Sequence, residues 1–448
     1  MADKKTNKSS LAKRMAVSLV CGLAAGIAML MLRENLTAGG NEAAWAMINN
    51  LLFADITAAG NESAIGLFYL VGQLFIRALQ LVIVPMVFTS ITLAIGQISD
   101  TRTLGRISAK TIGGFLICSF FALAFACVAG MIAFHAGIFT LAETGLEGAA
   151  GNTGSNPLNV VLNVIPSNIT AVFSTNTSVL AIVFLAVALG LCMNHLGDEK
   201  TCTLKKLIQE VNDIVVVFLN YVVVKFGPVA VFMLLTRTFA SYGINHLKPA
   251  MAYFALTTIL LLIFLFVGYP IFVAIATKLN PMKFANKITK VAIFGFSTSS
   301  SAATLPLNVK TTTEELGVDD TIASFVLPLG MTINMNGTAI MQVIATIFIA
   351  GCAGYEVTFF QLVIIAMLAL IASAGTPAAP GAGAIILFTI LSGMGYVNEG
   401  ALMAYSLILA INRPIEMLVT ALNVVGDSAT AVYVAKSEGL LDEKKYNA

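Results

Sequence analysis

Long apolar runs dominate the chain, and the polar residues that interrupt them fall in a few places. About eight runs are long enough to cross a bilayer as helices of roughly 20 residues: Met15–Leu32, Ile65–Gln97, Ile107–Ala136, Ser178–His195, Ile208–Tyr242, Pro249–Leu279, Ile322–Cys352 and Ala401–Val434. Several exceed what a perpendicular helix needs, which predicts tilt or extension beyond the lipid. Val291–Leu305 and Phe359–Leu391 are also apolar, but small and polar residues break them. The breaks are FSTSSSAATLP (Phe296 to Pro306) and SAGTPAAPGAG (Ser373 to Gly383). Neither is expected to stay helical across its middle, because consecutive serines compete for backbone hydrogen bonds and Gly and Pro disfavour helix. Irregular backbone survives at membrane depth only inside protein or beside a watery cavity, so each reads as the tip of a re-entrant hairpin. Either alone could equally be a surface loop.

The last run carries INRPIEMLVTALNVVGD, Ile411 to Asp427, with Arg413, Glu416 and Asp427 among apolar residues. Ionisable groups at that depth are costly and usually line a pathway or a binding site. At about 100° per residue, Glu416, Thr420, Asn423 and Asp427 fall on one narrow stripe, with Arg413 at its edge. Pro414 lacks an N–H and frees the carbonyl of Ala410, weakening the helix beside the charges. The competing reading is a helix end that has reached water.

Each hairpin tip is followed by a long helix with N-x-x-G in its middle: Asn334-Met335-Asn336-Gly337 after the first, Asn423-Val424-Val425-Gly426 after the second. That is the trace of a structural repeat, and paired interrupted helices point to a site near the bilayer midplane. An unwound Asn–Gly stretch would offer carbonyl oxygens to a hard cation.

Composition agrees with this class: 58% of residues are hydrophobic and 11% charged, so the chain reads as a polytopic membrane protein. A net charge of +2 gives no reason to expect nucleic acid. Lys and Arg cluster at Lys4 to Arg14, Arg102 to Lys110, Lys200 to Lys206, Lys278 to Lys290 and the C-terminal tail, and none lies between Lys110 and Lys200 or between Lys310 and Arg413. The positive-inside rule then places both termini in the cytoplasm. The first run reads as a retained span, since no cleavage site clearly follows it. The cysteines (Cys21, Cys118, Cys127, Cys192, Cys202, Cys352) have no metal or redox spacing and read as packing residues.

Ser299-Ser300-Ser301, Thr304-Leu305-Pro306, Asn334-Met335-Asn336-Gly337-Thr338, Gly381-Ala382-Gly383-Ala384 and Asn423 with Gly426-Asp427 together resemble the glutamate transporter family, the dicarboxylate/amino acid:cation symporters. The motifs are dense in the C-terminal part, and the spacing of spans extends the likeness to nearly the whole chain. The resemblance implies an all-α membrane fold of about eight transmembrane helices plus two re-entrant hairpins in inverted repeats, assembled in the plasma membrane as an elevator-type homotrimer in contact with lipid. It implies a scaffold from residues 1–103 and 137–247, and a moving transport domain from 104–136 and 248–448, gated mainly by the second hairpin. Residue by residue, it implies a sodium ion at Asp427 with backbone oxygens of Gly330, Asn334 and Asn423. A second sodium would use carbonyls of Thr332 and Met335 with Ser373, Ala374 and Thr376. Glu416 would hold a cargo amino group, with Ser300, Ser301, Thr338, Ala379, Gly383, Val419, Thr420 and Asn423 around the cargo. A carboxylate for an ammonium, and amide plus hairpin N–H groups for a carboxylate, agree with this chemistry.

Two departures matter. Where acidic-substrate members carry an arginine, this chain has Val419, which cannot imitate a bidentate fork. A second cargo carboxylate left unpaired in a buried pocket would cost several kcal/mol, roughly, so the expected cargo is a neutral or zwitterionic amino acid of the alanine, serine or threonine kind. Arg413 could instead serve an acidic amino acid or a C4-dicarboxylate, or pair with Glu416 at i, i+3; a taurine-like sulfonate is a further candidate. The second departure is at the family's third sodium site, which here reads Asn336, Phe115 and Cys118 with only Ser119 retained. Loss of a charge and two oxygen ligands should weaken it severely, so coupling to two sodium ions is expected. Glu416 could also carry a proton.

A pore would likewise need polar residues at depth, but paired hairpins and a discrete charged stripe favour alternating access. The serines Ser299 to Ser301 do not make a hydrolase, because a serine nucleophile needs a positioned base and His135, His195 and His246 lie near span ends. No enzymatic activity is expected. Asn168-Ile-Thr and Asn176-Thr-Ser match a glycosylation pattern, Gly-x-x-x-Gly spacings are common in membrane helices, and Glu143 to Asn156 reads as a flexible external connector.

Overall fold

The computed structural model describes residues 3–57, 60–96, 102–139, 164–174, 179–242, 247–374, 376 and 382–448. The loop Glu143 to Asn156, Asn176, His246 and Ala379 lie outside them, as does most of the second tip. The described residues are almost entirely helical. In chain order the helices are α1 (Asp3–Ala38), α2 (Glu42–Leu52), α3 (Leu67–Leu81), α4 (Ile83–Gly96), α5 (Arg102–His135), α6 (Ile169–Phe173), α7 (Val179–Leu196), α8 (Asp198–Tyr221), α9 (Gly227–Tyr242), α10 (Leu247–Ile263), α11 (Tyr269–Thr277), α12 (Pro281–Thr298), α13 (Ser301–Glu314), α14 (Asp320–Ile333), α15 (Asn336–Cys352), α16 (Phe359–Ala374), α17 (Ala382–Met394), α18 (Glu399–Ile411), α19 (Arg413–Glu438) and α20 (Glu443–Asn447).

Among these residues, Val20–Ala38, Arg106–His135, Lys248–Thr277, Asp320–Cys352 and Arg413–Glu438 are long and apolar enough to cross a membrane. Other expected spans are assembled from shorter pieces, and prolines explain where they divide. Ile65–Gln97 is not one helix: α3 ends at Leu81 and α4 starts at Ile83, because Pro85 cannot donate to the carbonyl of Leu81. Ile208–Tyr242 begins earlier, at Asp198, and contains a π-helical turn, Val222–Phe226, just before Pro228, with the Gly227 N–H reaching back to the Val222 carbonyl. Phe264–Gly268 does the same before Pro270, the Tyr269 N–H reaching the Phe264 carbonyl. A widened turn lets the helix continue past a ring that would otherwise strike its own backbone. Ala401–Val434 is likewise divided, at Asn412, with Pro414 in the first turn of α19.

α1 lies along α9. Gly22 and Gly26 allow the approach: a Cβ on Gly26 would stand 2.7 Å from the Phe239 Cβ, and one on Gly22 would stand 3.0 Å from the Phe232 carbonyl. Arg33 fastens the far end by donating to the carbonyls of Ala240 and Ser241 at 3.0 and 2.7 Å. α4 packs on α7 and α8.

α19 is the hub. It touches α5 and each of α10 to α15, and it is buried almost without interruption from Ile415 to Ala435. A helix end in water is therefore not the explanation of its charges. Among the cysteines, Cys118 and Cys352 are fully buried, whereas Cys21, Cys192 and Cys202 are exposed on this chain and do not pack within it. Asn168 caps α6, its side chain accepting from the Ala171 N–H at 3.1 Å.

Candidate cargo and cation site

The first break is narrower than Phe296 to Pro306. α12 runs to Thr298, Ser299 turns the chain with φ of 49°, and Ser300 caps α13, its Oγ accepting from the Ala303 N–H at 3.3 Å. Helix then continues through Pro306, which has no N–H to give the Ala302 carbonyl in the first turn. The reversal thus needs only Ser299 and Ser300, and all of Ser299, Ser300 and Ser301 are buried. Thr304 braces it, donating to the Ser300 carbonyl at 2.9 Å. No histidine is near these serines among the described residues: His135 sits at the end of α5 against the Met131 carbonyl, and His195 at the end of α7.

The first N-x-x-G motif is an interruption, as expected: α14 ends at Ile333 and α15 begins at Asn336. The second is not. α19 runs unbroken through Asn423 to Gly426, and the break in this unit lies at Asn412 instead. Gly426 serves close packing there, since an added Cβ would strike the Tyr269 hydroxyl first, its Cζ at 2.6 Å and the Asn334 amide at 2.9 Å. The two motifs meet crosswise. Asn423 accepts from the Gly337 N–H at 2.8 Å and donates to the Thr338 hydroxyl at 3.2 Å and the Met335 sulfur at 3.1 Å. Asn334 reaches the other way and donates to Asp427 Oδ1 at 3.0 Å.

The stripe expected on α19 is buried throughout: Glu416, Thr420, Asn423 and Asp427 are each under a tenth exposed. Asp427 lies against Gly330, where a Cβ would stand 2.5 Å from Oδ1. Asp427, Gly330, Asn334 and Asn423 therefore come together, and this set, one carboxylate plus carbonyl and amide oxygens around a helix interruption, suits a hard monovalent cation. Of the residues expected to hold a second ion, Thr332 and Met335 flank the same interruption, and α14 packs on α16, whose end carries Ser373 and Ala374. Thr376 folds back on that end, with its N–H on the Ser373 carbonyl and its hydroxyl on the Ala372 carbonyl, both at 2.9 Å.

Where a third ion would sit, the protein bonds to itself. Asn336 accepts from Ser119 at 2.7 Å and donates to Asn334 Oδ1 at 2.8 Å and to the Tyr269 hydroxyl at 3.0 Å. Phe115 and Cys118 are buried beside it on α5.

At the other end of the stripe, Arg413 Nη1 lies 3.6 Å from Glu416 Oε2, and Glu416 Oε1 accepts from the Ala384 N–H, in the first turn of α17, at 3.3 Å. Tyr253 donates to Asn412 Oδ1 at 2.7 Å. Gln342 donates to the Gly383 carbonyl at 3.1 Å. Thr420 bonds its own helix, at the Glu416 carbonyl, and Val419 is buried beside Gly337. Tyr253, Tyr269 and Gln342 are not among the residues that the sequence singles out. Each is a lone polar group in an apolar run, and that isolation was the available signal.

A helical membrane protein whose broken helices bring buried acids, amides and hairpin ends to one place is built as a carrier of ions and small solutes. Likeness to known proteins narrows that class: residues 11–437 match the model of the Sodium:dicarboxylate symporter family, and the chain belongs to that family. It is 28% identical over 415 residues to the proton/sodium-glutamate symport protein of Bacillus caldotenax, covering 90% of this chain and 96% of that one. It is 28% identical over 383 residues to the proton/glutamate-aspartate symporter of Escherichia coli K12, covering 84% and 86%. It is also 28% identical over 380 residues to the C4-dicarboxylate transport protein of Cupriavidus pinatubonensis, covering 83% and 86%. The chain is thus a membrane-integral, sodium-coupled symporter and not an enzyme.

Proposed function

We propose that this symporter carries a small neutral or zwitterionic amino acid, of the alanine, serine or threonine kind, into the cell with sodium. The observation that supports this cargo is the Arg413–Glu416 contact at 3.6 Å. The arginine beside the pocket already serves an acid, and Val419 offers no fork to a second cargo carboxylate. The cargo ammonium rests on Glu416, and its carboxylate takes N–H groups at the hairpin near Ser300 and Ser301. Thr338, Gly383, Thr420 and Asn423 wall the pocket.

Two sodium ions accompany the cargo, one at Asp427, Gly330, Asn334 and Asn423, the other at Thr332, Met335, Ser373, Ala374 and Thr376. The hydrogen bonds that fill Asn336 argue against a third. The chain works as a homotrimeric elevator in the plasma membrane, with residues 1–103 and 137–247 as scaffold, 104–136 and 248–448 as the moving body, and both termini cytoplasmic. Supporting a single moving body is the way α19 gathers α5 and α10 to α15 around itself.

A second reading, an acidic amino acid or C4-dicarboxylate, has its own support: Arg413 Nε is buried without a hydrogen bond, and relatives are named for such cargo. Uptake into proteoliposomes under a sodium gradient decides. Serine, alanine or threonine should accumulate and compete with one another. Strong aspartate or glutamate uptake that these do not inhibit would reverse the assignment, and a reversal potential giving three sodium ions per cargo would overturn the two-ion count.

A further inference from the structure

Glu416 has a task on each side. Oε2 faces Arg413 across 3.6 Å, and Oε1 takes the Ala384 N–H of α17 at 3.3 Å. The guanidinium is in turn incompletely satisfied, with Nε buried and without a hydrogen bond, and the Asn412 side chain stands beside the same carboxylate. Both side chains of the pair are close to nine-tenths buried, at 16% and 10% exposure. A guanidinium spends its charge most effectively when two of its N–H groups grip a carboxylate side by side. Here the guanidinium nitrogen nearest to Glu416, Nη1, lies at 3.6 Å, beyond a good hydrogen bond. Its main effect on the pocket is therefore its charge: it makes the Arg413–Glu416 unit neutral without occupying every acceptor site of the carboxylate, which can still take one ammonium.

We propose that Arg413 sets the charge class of the cargo. It leaves Glu416 able to accept one ammonium while making a second positive charge on the cargo unfavourable, so that dibasic amino acids are refused. This rests on the reading that Glu416 receives the cargo ammonium. Removing the guanidinium would leave a buried carboxylate with one fewer counter-charge, and the site would then favour cargo that brings its own. Arg413 is in this sense a specificity-determining residue that need not touch the cargo.

The test uses the full chain reconstituted in lipid with saturating sodium, and two probes of the same carbon skeleton: L-homoserine, which is neutral, and L-2,4-diaminobutyrate, which carries an extra ammonium. Affinities are read by calorimetry, with L-aspartate as a third probe. Wild type should prefer homoserine. R413M should shift the homoserine-to-diaminobutyrate affinity ratio at least tenfold toward the diamine, whereas R413K should stay within threefold of wild type. If R413M does not reconstitute, R413Q, which keeps a polar side chain without the charge, carries the same expectation. An R413M ratio within threefold of wild type overturns the proposal, as does loss of both ligands with no relative gain for the diamine. A wild type that prefers aspartate to homoserine instead removes the neutral-cargo reading, while the ratio still reports on Arg413.

Discussion

The side-chain amide of Asn334 donates to Asp427 Oδ1 at 3.0 Å, joining the helix interruption after α14 to the centre of α19. A carboxylate so deeply placed is costly unless hydrogen bonds and a cation compensate it. Replacing potassium by sodium should therefore raise the thermal midpoint of the wild-type protein, since a ligand that binds only the folded state stabilises it. D427N should lose most of that rise. N334A, which removes only the supporting amide, should weaken sodium by about 10–100-fold, the usual effect of an outer group on a metal site. A D427N protein with the full sodium-dependent shift would take Asp427 out of the ion site.

Asn336 is the position where a single atom type decides how many charges the cluster holds. Its Nδ2 hydrogens go to Asn334 and Tyr269, and a carboxylate in its place can donate neither. N336D should therefore be less stable than wild type in potassium, by about 1–3 kcal/mol for partners left unsatisfied, and should recover in sodium with a steeper concentration dependence. The measurement is a sodium titration of thermal stability. Unchanged steepness would mean that the surrounding side chains, Phe115 and Cys118, deny a cation even when the charge is supplied.

Gly426 tests the packing behind the proposed ion site. Its missing Cβ makes room for the Tyr269 side chain, which a methyl would meet first at the hydroxyl and then 2.6 Å from Cζ. G426A should cost about 1–3 kcal/mol, as overpacking in a core does. Y269F, which removes the hydroxyl that a methyl would meet first, should recover part of the loss, and Y269L, which also removes the ring carbon, should recover more. Full rescue by Y269F would place the whole conflict at the hydroxyl that accepts from Asn336.

Much of this site was legible because membrane depth makes polar residues conspicuous. The stripe Glu416, Thr420, Asn423 and Asp427 needed only helical geometry, and the Arg413–Glu416 contact only its i, i+3 spacing. The apolar runs also located the helices, but not their breaks. Pro85, Pro228, Pro270 and Pro414 were all visible, yet whether a proline divides a helix, as at Val82 and Asn412, or merely widens a turn, as at Val222–Phe226 and Phe264–Gly268, depends on what packs against it. The two N-x-x-G motifs looked alike and behave differently for the same reason. One unwinds beside Asp427, and the other stays helical because Gly426 is used for close approach to Tyr269. Crosswise contact between two motifs about ninety residues apart, as Gly337 with Asn423, cannot be read from either alone.

Among the described residues, the two hairpins are fastened unequally to α19. Asn308 of α13 donates to the Val424 carbonyl at 3.0 Å and accepts from Ser428 at 2.5 Å, and Ser428 shares a further hydrogen bond with Thr312 at 3.1 Å. The second hairpin instead reaches the hub through the Ala384 N–H on Glu416 at 3.3 Å. N308A strips a buried carbonyl and a hydroxyl of a partner, so it should cost about 1–3 kcal/mol and lower the thermal midpoint whether or not cargo is bound. E416Q keeps an acceptor for Ala384 but leaves the buried Arg413 guanidinium without its carboxylate, so it should lower the substrate-free midpoint, by up to about 3–5 kcal/mol, and should also abolish stabilisation by the proposed neutral cargo. The unequal attachment predicts opposite signatures in hydrogen exchange: amides of α13 should be protected as long as those of α19, and amides at the start of α17 should exchange sooner and become protected when sodium and cargo are added together. Equal protection of both hairpins without ligand would mean that these hydrogen bonds do not decide which one opens.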